Sequence, residues 1–137
     1  GYFCDFDRNF AFGSATSEVE KVNEILWNAT EAGINAAKPG ESTFDIFNTM
    51  NKIISDGNAV GNNVGRLGHG LGLQLTEPPS HRPGDNTIIK ENMVLTIEPG
   101  MEYAKGKMIV HEENVVIRKD GAELITKRAP KEIPIIK

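Results

Sequence analysis

Four short segments each carry one side chain that can bind a divalent metal ion. They are Asp5 in GYFCDFDR, His69 in GHGLGL, Glu98 in LTIEPG and Glu112 in MIVHEEN. Carboxylates combined with a single imidazole suit divalent manganese, iron, cobalt or zinc. An acidic pair or trio can bridge two ions about 3.5–4 Å apart, which allows metal-assisted attack on a carbonyl group. These side chains form one site only if the elements that carry them converge.

Each of these side chains, taken alone, also has a simpler explanation. Asp5, Glu98 and Glu112 would most often be solvated acids, and a histidine in a glycine loop is more often structural than a ligand. Pro99 and Gly100 follow Glu98 directly and should end its strand there, which favours a position at the sheet end. The joint pattern therefore carries the argument, and no single residue does.

At these segments the sequence resembles the pita-bread metallopeptidases, the family that includes methionine aminopeptidase, aminopeptidase P and prolidase. The resemblance covers essentially the whole chain and rests on the order of the four segments. It implies that Asp5, His69, Glu98 and Glu112 bind two divalent ions (Mn, Co, Fe or Zn), with Glu98 and His69 in catalytic roles and Glu98 as general base. The implied reaction is hydrolysis of an N-terminal amide bond by an activated water, as in Xaa-Pro aminopeptidases and dipeptidases.

The chain also departs from the family pattern. The family's second histidine, seven positions after the first, corresponds to Thr76, and an arginine of prolidase-like members corresponds to Val110. A first aspartate ligand would precede Gly1. We therefore expect residues 1–137 to be the C-terminal part of a pita-bread catalytic domain, and we expect this chain alone to bind metal weakly or not at all and to be inactive.

Three polar side chains are predicted to contact substrate: Thr76, His81 and Asp7. Thr76 is expected at the rim of the pocket without touching metal. His81, in PPSHRPGD, could replace the missing histidine, although a surface position is the simpler interpretation. Asp7 stands where the family has a hydroxyl residue, and it either adds a carboxylate to the site or pairs with Arg8 or Arg66.

These departures leave two other functions open. The first is a creatinase-like hydrolase of small amides or amidines, and the second is an inactive binding module of the same fold. Creatinase keeps histidines and lacks the metal carboxylates, whereas this chain does the reverse. The metal-dependent peptidase-like hydrolase is therefore favoured.

The helices that must position the site are predicted from apolar spacing and caps. Ser17 and Glu20 fit a capping box for a first helix, which Pro39 and Gly40 end. A second helix is predicted from a cap at Ser42 or Thr43 to a stop at Gly57.

Alternating residue types predict the strands. Residues 1–12 should form a strand with an aromatic face and a carboxylate face. Cys4 is expected on the aromatic face, opposite Asp5, as a buried small hydrophobe. Further strands are predicted near 72–76, 93–98, 108–117 and 122–126. His111 should point away from Glu112, because neighbours on a strand face opposite sides. The order of elements indicates one α+β domain with helices packed on a mostly antiparallel sheet.

Composition restricts the partners. The 137 residues include 15 basic and 19 acidic side chains, giving a formal charge of −4. No run of basic residues suits nucleic acid, and no apolar run of about 18 residues suits a membrane span. A single cysteine excludes an intrachain disulfide and fits a reducing compartment. We therefore expect a cytoplasmic protein. The family resemblance implies a small peptide or amide as the substrate, and we also expect a homodimer.

Overall fold

The computed structural model of the chain describes residues 1–60 and 65–137. In this part the chain forms two helices and nine strands. The helices are α1 (Ser17–Ala36) and α2 (Thr43–Asp56); the strands are β1 (Ala11–Phe12), β2 (His69–Gly70), β3 (Glu77–Ser80), β4 (Val94–Ile97), β5 (Gly100–Ala104), β6 (Lys107–Val110), β7 (Glu113–Arg118), β8 (Gly121–Leu124) and β9 (Ile135–Ile136). None of the helices in these ranges is long and apolar enough to cross a membrane.

Polar caps fix where the helices begin. The hydroxyl of Thr16 accepts a hydrogen bond from the N–H of Val19 and caps α1, so the capping box predicted at Ser17 is wrong by one residue. Thr16 has the extended backbone that an N-cap needs, whereas Ser17 is already helical. The second helix follows the prediction, since Ser42 forms a capping box with Asp45.

The two helices pack against each other and bury apolar side chains in one core with the main sheet. The fully buried side chains at this interface include Leu26, Ile46 and Met50 from the helices and Leu95 and Ile97 from β4. Gly33 lies where α1 packs tightly on α2 and β4: a Cβ there would lie 2.6 Å from the Met50 sulfur and 2.7 Å from Ile97. The helix can approach the sheet this closely only because residue 33 has no side chain.

The main sheet has five strands in the order β3-β2-β4-β7-β8, and all of its pairs are antiparallel. The β4–β7 ladder runs from Val94 opposite Val116 to Ile97 opposite Glu113. Glu98 and Glu112 therefore each lie one residue beyond the same end of this ladder. The predicted strands near 93–98 and 122–126 are thus present as β4 and β8.

The strand predicted over 108–117 is divided between two sheets. Its first part, β6, pairs with β5 in a separate hairpin, and its second part, β7, joins the main sheet. His111 and Glu112 make the crossing between the two ladders, so neither belongs to a strand.

The strand predicted at 72–76 is wrong, because local hydrogen bonds hold this segment in a bend. The N–H of Gly72 donates to the carbonyl of Gln74, and the N–H of Gln74 donates to the carboxylate of Glu77. These donors are therefore not available for a ladder. The strands on either side are short, β2 before the bend and β3 after it.

The strand predicted over 1–12 is also largely wrong. Only Ala11–Phe12 forms a strand, and it pairs in parallel with β9. Alternation gives a segment two faces, but a strand also needs a neighbour to hydrogen-bond with, and residues 1–10 have no such ladder in the described structure. Cys4 is exposed rather than buried, with its sulfur accepting a hydrogen bond from Asn114 at 3.2 Å.

A candidate metal centre

Four separate elements bring metal-competent side chains to the end of the β4–β7 ladder. Asp5 comes from the extended N-terminal segment, His69 opens β2, Glu98 follows β4, and Glu112 precedes β7. The Nε2 atom of His69 lies 3.8 Å from Asp5 Oδ2, 3.6 Å from Glu98 Oε2 and 3.8 Å from Glu112 Oε1. The structure therefore brings all four predicted residues together around one imidazole nitrogen.

Two overlapping groups of possible ligand atoms lie in this cluster. One oxygen or nitrogen each from Asp5, His69 and Glu112 lie within 4.8 Å of one another. The same holds for one oxygen each from Asp7, Glu98 and Glu112. Glu112 belongs to both groups, and Asp7 shares the carboxylate face with Asp5 as the alternation predicts.

Three carboxyl groups of this cluster, those of Glu112, Glu98 and Asp7, resist ionisation. Burial, followed by the charges of Glu98, Asp5 and Asp7, raises the pKa of Glu112 to about 8. Burial is also the main cause that raises the pKa of Glu98 and of Asp7. Bringing like charges together away from water is costly unless a cation or a proton compensates them.

Two buried oxygens in the cluster have no hydrogen-bond partner among the described residues, Glu112 Oε1 and Glu98 Oε2. Glu112 is only 2% exposed, so water cannot readily replace the missing partner. An unpaired buried carboxylate oxygen carries a large desolvation cost. Divalent cations bind such oxygens directly, and the donor set of carboxylates with one imidazole fits such ions chemically.

Hydrogen bonds fix the orientation of the His69 ring. Its Nδ1 lies 2.8 Å from the carbonyl oxygen of Gly70, which can only accept, so Nδ1 carries the proton and Nε2 faces the carboxylates with a lone pair. Burial lowers the pKa of His69, which favours the neutral ring. The backbone N–H of His69 donates to the hydroxyl of Thr96 at 3.1 Å. Thr96, fully buried two residues before Glu98, is a positioning residue that sequence reasoning missed.

Thr76 lies at the edge of the cluster, as expected for a residue at the rim. It is exposed, and its hydroxyl accepts a hydrogen bond of 3.4 Å from Nη2 of Arg66. The Nε atom of Arg66 in turn lies 4.0 Å from Glu98 Oε2. One guanidinium thus connects the predicted substrate-contacting residue with the predicted general base.

His81 is fully buried, so the expectation that it lies at the surface is wrong. Its backbone N–H donates to Gly68 O at 2.9 Å and its carbonyl accepts from Leu67 N–H at 2.8 Å. The ring lies against Gly68, where a Cβ would meet it at 2.5 Å. Burial lowers the pKa of His81 to about 4, so the ring is neutral near pH 7. His81 therefore supports the loop before His69 from behind.

The surroundings of Glu113 were not predicted from the sequence. Glu113 is fully buried beside Glu112, and its carboxylate accepts hydrogen bonds from Arg8, Thr126 and the N–H of Ala129. Burial alone would raise the pKa of Glu113, but these donors outweigh it and lower the pKa. The sequence signal for this buried carboxylate was the acidic pair Glu112–Glu113: if Glu112 faces the site, Glu113 must face the opposite side, toward the core.

His111 faces away from Glu112, as predicted. Its Nε2 lies 2.8 Å from the Oδ1 atom of Asn23 on α1, on the other side of the chain from the cluster. This contact attaches the crossing between β6 and β7 to the first helix.

Comparison with known proteins places this arrangement in a family context. The model of Metallopeptidase family M24 matches residues 1–119. The chain is 34% identical, over 99% of its length, to an Xaa-Pro dipeptidase of Lactobacillus delbrueckii subsp. lactis. It is similar to a solved prolidase from Thermococcus sibiricus, with a TM-score of 0.90 and 32% identity over 98% of the chain. It is also similar to an X-Pro aminopeptidase from Thermotoga maritima MSB8, with a TM-score of 0.87 and 32% identity over 98% of the chain.

These likenesses cover only part of each relative. The chain spans 37% of the dipeptidase, 36% of the prolidase and 38% of the aminopeptidase. Within that part, the structural agreement confirms the predicted pita-bread α+β fold.

Proposed function

The chain belongs to metallopeptidase family M24, and we propose that residues 1–137 form the metal-binding C-terminal part of the catalytic domain of a hydrolase. The substrate class would be that of Xaa-Pro dipeptidases and aminopeptidases, with cleavage of an N-terminal peptide bond. One observation carries the proposal: Asp5, His69, Glu98 and Glu112 converge on one point, where buried carboxylate oxygens have no hydrogen-bond partner.

We assign metal binding to Asp5, His69, Glu98 and Glu112. Two divalent ions held there would polarise the scissile carbonyl and supply a water of lowered pKa. His69 contributes through Nε2, since its Nδ1 is engaged with Gly70. The carboxylates contribute negative charge that Arg66, beside Glu98, and Arg8, beside Asp7, offset only in part.

Glu98 is proposed as the general base. Its Oε2 has no hydrogen-bond partner in the described structure and can accept a proton from the attacking water and return it to the leaving amine. The Nε atom of Arg66, 4.0 Å away, restrains the carboxylate on the open side of the site. This guanidinium and the exposed hydroxyl of Thr76 are in position to contact a substrate at the rim.

The burial of His81 argues against direct contact with substrate. Neither ring nitrogen of His81 is accessible, and both face the packed backbone near Thr43 and Thr96. We therefore assign His81 to support of the His69 loop, and Thr76 and Asp7 remain the candidates for contacts in the open site.

Titration of a full-length protein that contains this chain with Mn²⁺ or Co²⁺ in a calorimeter tests the metal-binding part of the proposal. We expect binding that Glu112→Gln removes and that Glu91→Gln, a change at an exposed turn, leaves unchanged. Absence of binding at millimolar metal would contradict the proposal.

The substrate part needs an activity assay. A protein that contains this chain should hydrolyse Xaa-Pro dipeptides in a metal-dependent way. Turnover of creatine-like amidines or osmolyte amides, with no turnover of the dipeptides, would instead assign the site to a small-amide hydrolase.

A further inference from the structure

We propose that Cys4 is a thiol modification site, at which one half of a small neutral disulfide becomes bound in a groove beside the N-terminal segment. This groove is lined by residues 2–4, 71–73, 77–79, 92–95, 114 and 125. The sulfur of Cys4, after releasing its proton to water, attacks one sulfur of the disulfide. A new S–S bond forms to Cys4, the original S–S bond breaks, and the other half leaves as a thiolate. No residue of the metal cluster takes part, so the inference goes beyond the proposed function and does not depend on it.

Cys4 is placed to react because its side chain is exposed and held in position. It is the single cysteine of the chain, and its sulfur accepts a hydrogen bond of 3.2 Å from Nδ2 of Asn114. The backbone beside it is fixed as well, since the N–H of Phe3 donates to the carbonyl oxygen of Gly72 at 2.9 Å. Attack on a disulfide requires an accessible sulfur, which a cysteine buried in the core does not offer.

Asn114 gives an independent indication of a ligand. The residue is 2% exposed, and its Oδ1 atom has no hydrogen-bond partner among the described residues. A buried amide oxygen without a partner costs free energy that a hydrogen bond from a ligand would recover. Because Nδ2 of the same amide contacts the Cys4 sulfur, a group attached to that sulfur would lie beside the unpartnered oxygen. The position therefore favours a ligand that has an N–H donor close to its own sulfur.

The chemistry of the groove indicates which ligand fits. Its volume is about 600 Å³, within the range of about 300–1,000 Å³ that small-molecule sites have. Apolar side chains such as Leu71, Met93 and Ile125 form most of the wall. Among the described residues of the wall, Glu77 is the one acidic residue and no basic residue balances it. The groove therefore suits a neutral thiol with an apolar body and amide N–H groups, such as pantetheine, better than an anionic thiol such as glutathione.

Reaction of the full-length protein that contains this chain with pantethine, the disulfide of pantetheine, tests the inference. Mass spectrometry of the digested protein should find one pantetheine on the peptide that carries Cys4, and a reductant should remove it. The reference probe is 2-hydroxyethyl disulfide, which is neutral but has no amide N–H. Each rate is divided by the rate in urea-unfolded protein. The normalised rate with pantethine should exceed that with the reference by at least about fivefold, the factor that one hydrogen bond gives.

Asn114→Leu separates recognition of the ligand from simple exposure of the thiol. Leucine has a similar shape but cannot accept a hydrogen bond, so the preference for pantethine should disappear while Cys4 remains reactive. Asn48→Leu, at an exposed position on α2, is the matched control and should keep the wild-type preference. The comparison of folded with unfolded wild type does not require Asn114→Leu to fold, so it tests the inference by itself.

Four results would overturn the inference. The first is absence of pantetheine on Cys4 after reaction of the folded protein. The second is an equal normalised rate for pantethine and the reference in wild type, which would describe an ordinary surface thiol. The third is a faster normalised reaction with glutathione disulfide than with pantethine, because the groove would then select an anionic thiol. The fourth is a preference that survives in Asn114→Leu, since Asn114 would then not recognise the ligand.

Discussion

Arg8 and Glu113, 105 residues apart in the chain, form a salt bridge in which Arg8 Nη2 lies 2.9 Å from Glu113 Oε2. The Nη1 atom of the same guanidinium donates to the carbonyl oxygens of Asp7 at 2.7 Å and Glu112 at 3.0 Å. One side chain thus ties the backbone beside one carboxylate of the site to the backbone that carries another. The separation of the carboxylates depends on this connection.

Arg8→Ala should therefore destabilise the protein. Glu113 is fully buried and would lose one of its two cationic partners while keeping its charge, since Arg128 Nη1 stays 3.3 Å from Oε1. Removal of one member of a buried pair typically costs about 3–5 kcal/mol. Arg128 and the remaining donors from Thr126 and Ala129 reduce this loss, so we expect a decrease of about 2 kcal/mol in the free energy of unfolding. Urea unfolding at neutral pH measures it.

A matched control for this change exists at the surface. Arg118 and Glu123 also form a close pair, with 2.6 Å between Nε and Oε2, but both side chains are more than half exposed. Arg118→Ala should cost less than about 1 kcal/mol, since water already screens this pair. Equal decreases in the free energy of unfolding for Arg8→Ala and Arg118→Ala would show that the buried Arg8–Glu113 pair stabilises the fold no more than a surface pair does.

Glu112→Gln should stabilise the metal-free protein at alkaline pH. The pKa of Glu112 is raised to about 8 in the fold, above its usual 4.5, so the folded state prefers the protonated acid. Its contribution to stability is present below pH 4.5 and is lost as the pH rises toward 8. Glutamine resembles the protonated acid and avoids this loss, which we expect to be on the order of 2 kcal/mol at pH 8.

The same substitution should reverse its effect when metal is added. Saturating Mn²⁺ stabilises a protein that binds it only when folded, by about 2.7 kcal/mol at a hundredfold excess over Kd. Wild type should gain this stabilisation and Glu112→Gln should not, as followed by thermal melting with and without Mn²⁺. If Glu112→Gln is less stable than wild type at pH 8 without metal, repulsion between the ionised Glu112 and its neighbouring carboxylates does not destabilise the fold.

The site was predictable from sequence where each ligand is fixed by its own neighbours. Pro99 and Gly100 end the strand after Glu98, so its position at the end of β4 follows from residues that are adjacent in the chain. His111 and Glu112 face opposite sides as predicted, although neither belongs to the strand that the prediction assumed. The convergence of Glu98 and Glu112 with His69 was predictable only from the order of the segments, because it depends on strand pairing.

Other features depend on partners distant in sequence and were predicted wrongly or not at all. Alternation at residues 1–12 does not reveal whether a neighbouring strand exists, and the structure holds this segment mainly through side chains such as Arg8 and Asn9. Burial of His81 depends on its packing against Gly68 and the strand that carries Thr96. The sequence around these residues contains no local signal for such contacts.

Gly68→Ala should disrupt the site through the backbone. A Cβ at this position would lie 2.2 Å from the carbonyl oxygen of Thr96 and 2.5 Å from the His81 ring, and the residue has φ of +138°. Strain of this kind costs about 1–3 kcal/mol, and overpacking adds a similar amount. Since His69 is the next residue, we expect both lower stability in urea and weaker Mn²⁺ binding.

Gly84→Ala is the control that separates backbone strain from lack of space. Gly84 also has a positive φ, +87°, but a Cβ there meets no atom within 4 Å. This substitution should cost only about 1 kcal/mol and should leave Mn²⁺ binding unchanged, because a left-handed backbone alone carries a small penalty. If the two alanine variants are equally stable, the close contact with Thr96 is not what requires glycine at residue 68.

His81 should make the protein sensitive to acid. Its pKa is lowered to about 4 in the fold from the usual 6.5, because burial disfavours the charged ring. The unfolded chain therefore takes up a proton at higher pH than the folded protein does. The contribution of His81 to stability is complete above pH 6.5 and is lost as the pH falls toward 4, by about 2 kcal/mol at pH 5.

His81→Leu tests this directly, since leucine fills a similar volume and cannot take up a proton. Urea unfolding at pH 7 and pH 5 should show a smaller decrease for the variant than for wild type, by about 2 kcal/mol. Part of the acid sensitivity should remain, because burial also lowers the pKa of His111 to about 4. Glu112 titrates in the opposite direction in both proteins, so its effect cancels in the comparison. An identical decrease in wild type and variant would mean that the buried ring of His81 is protonated without cost, contrary to its position between packed backbones.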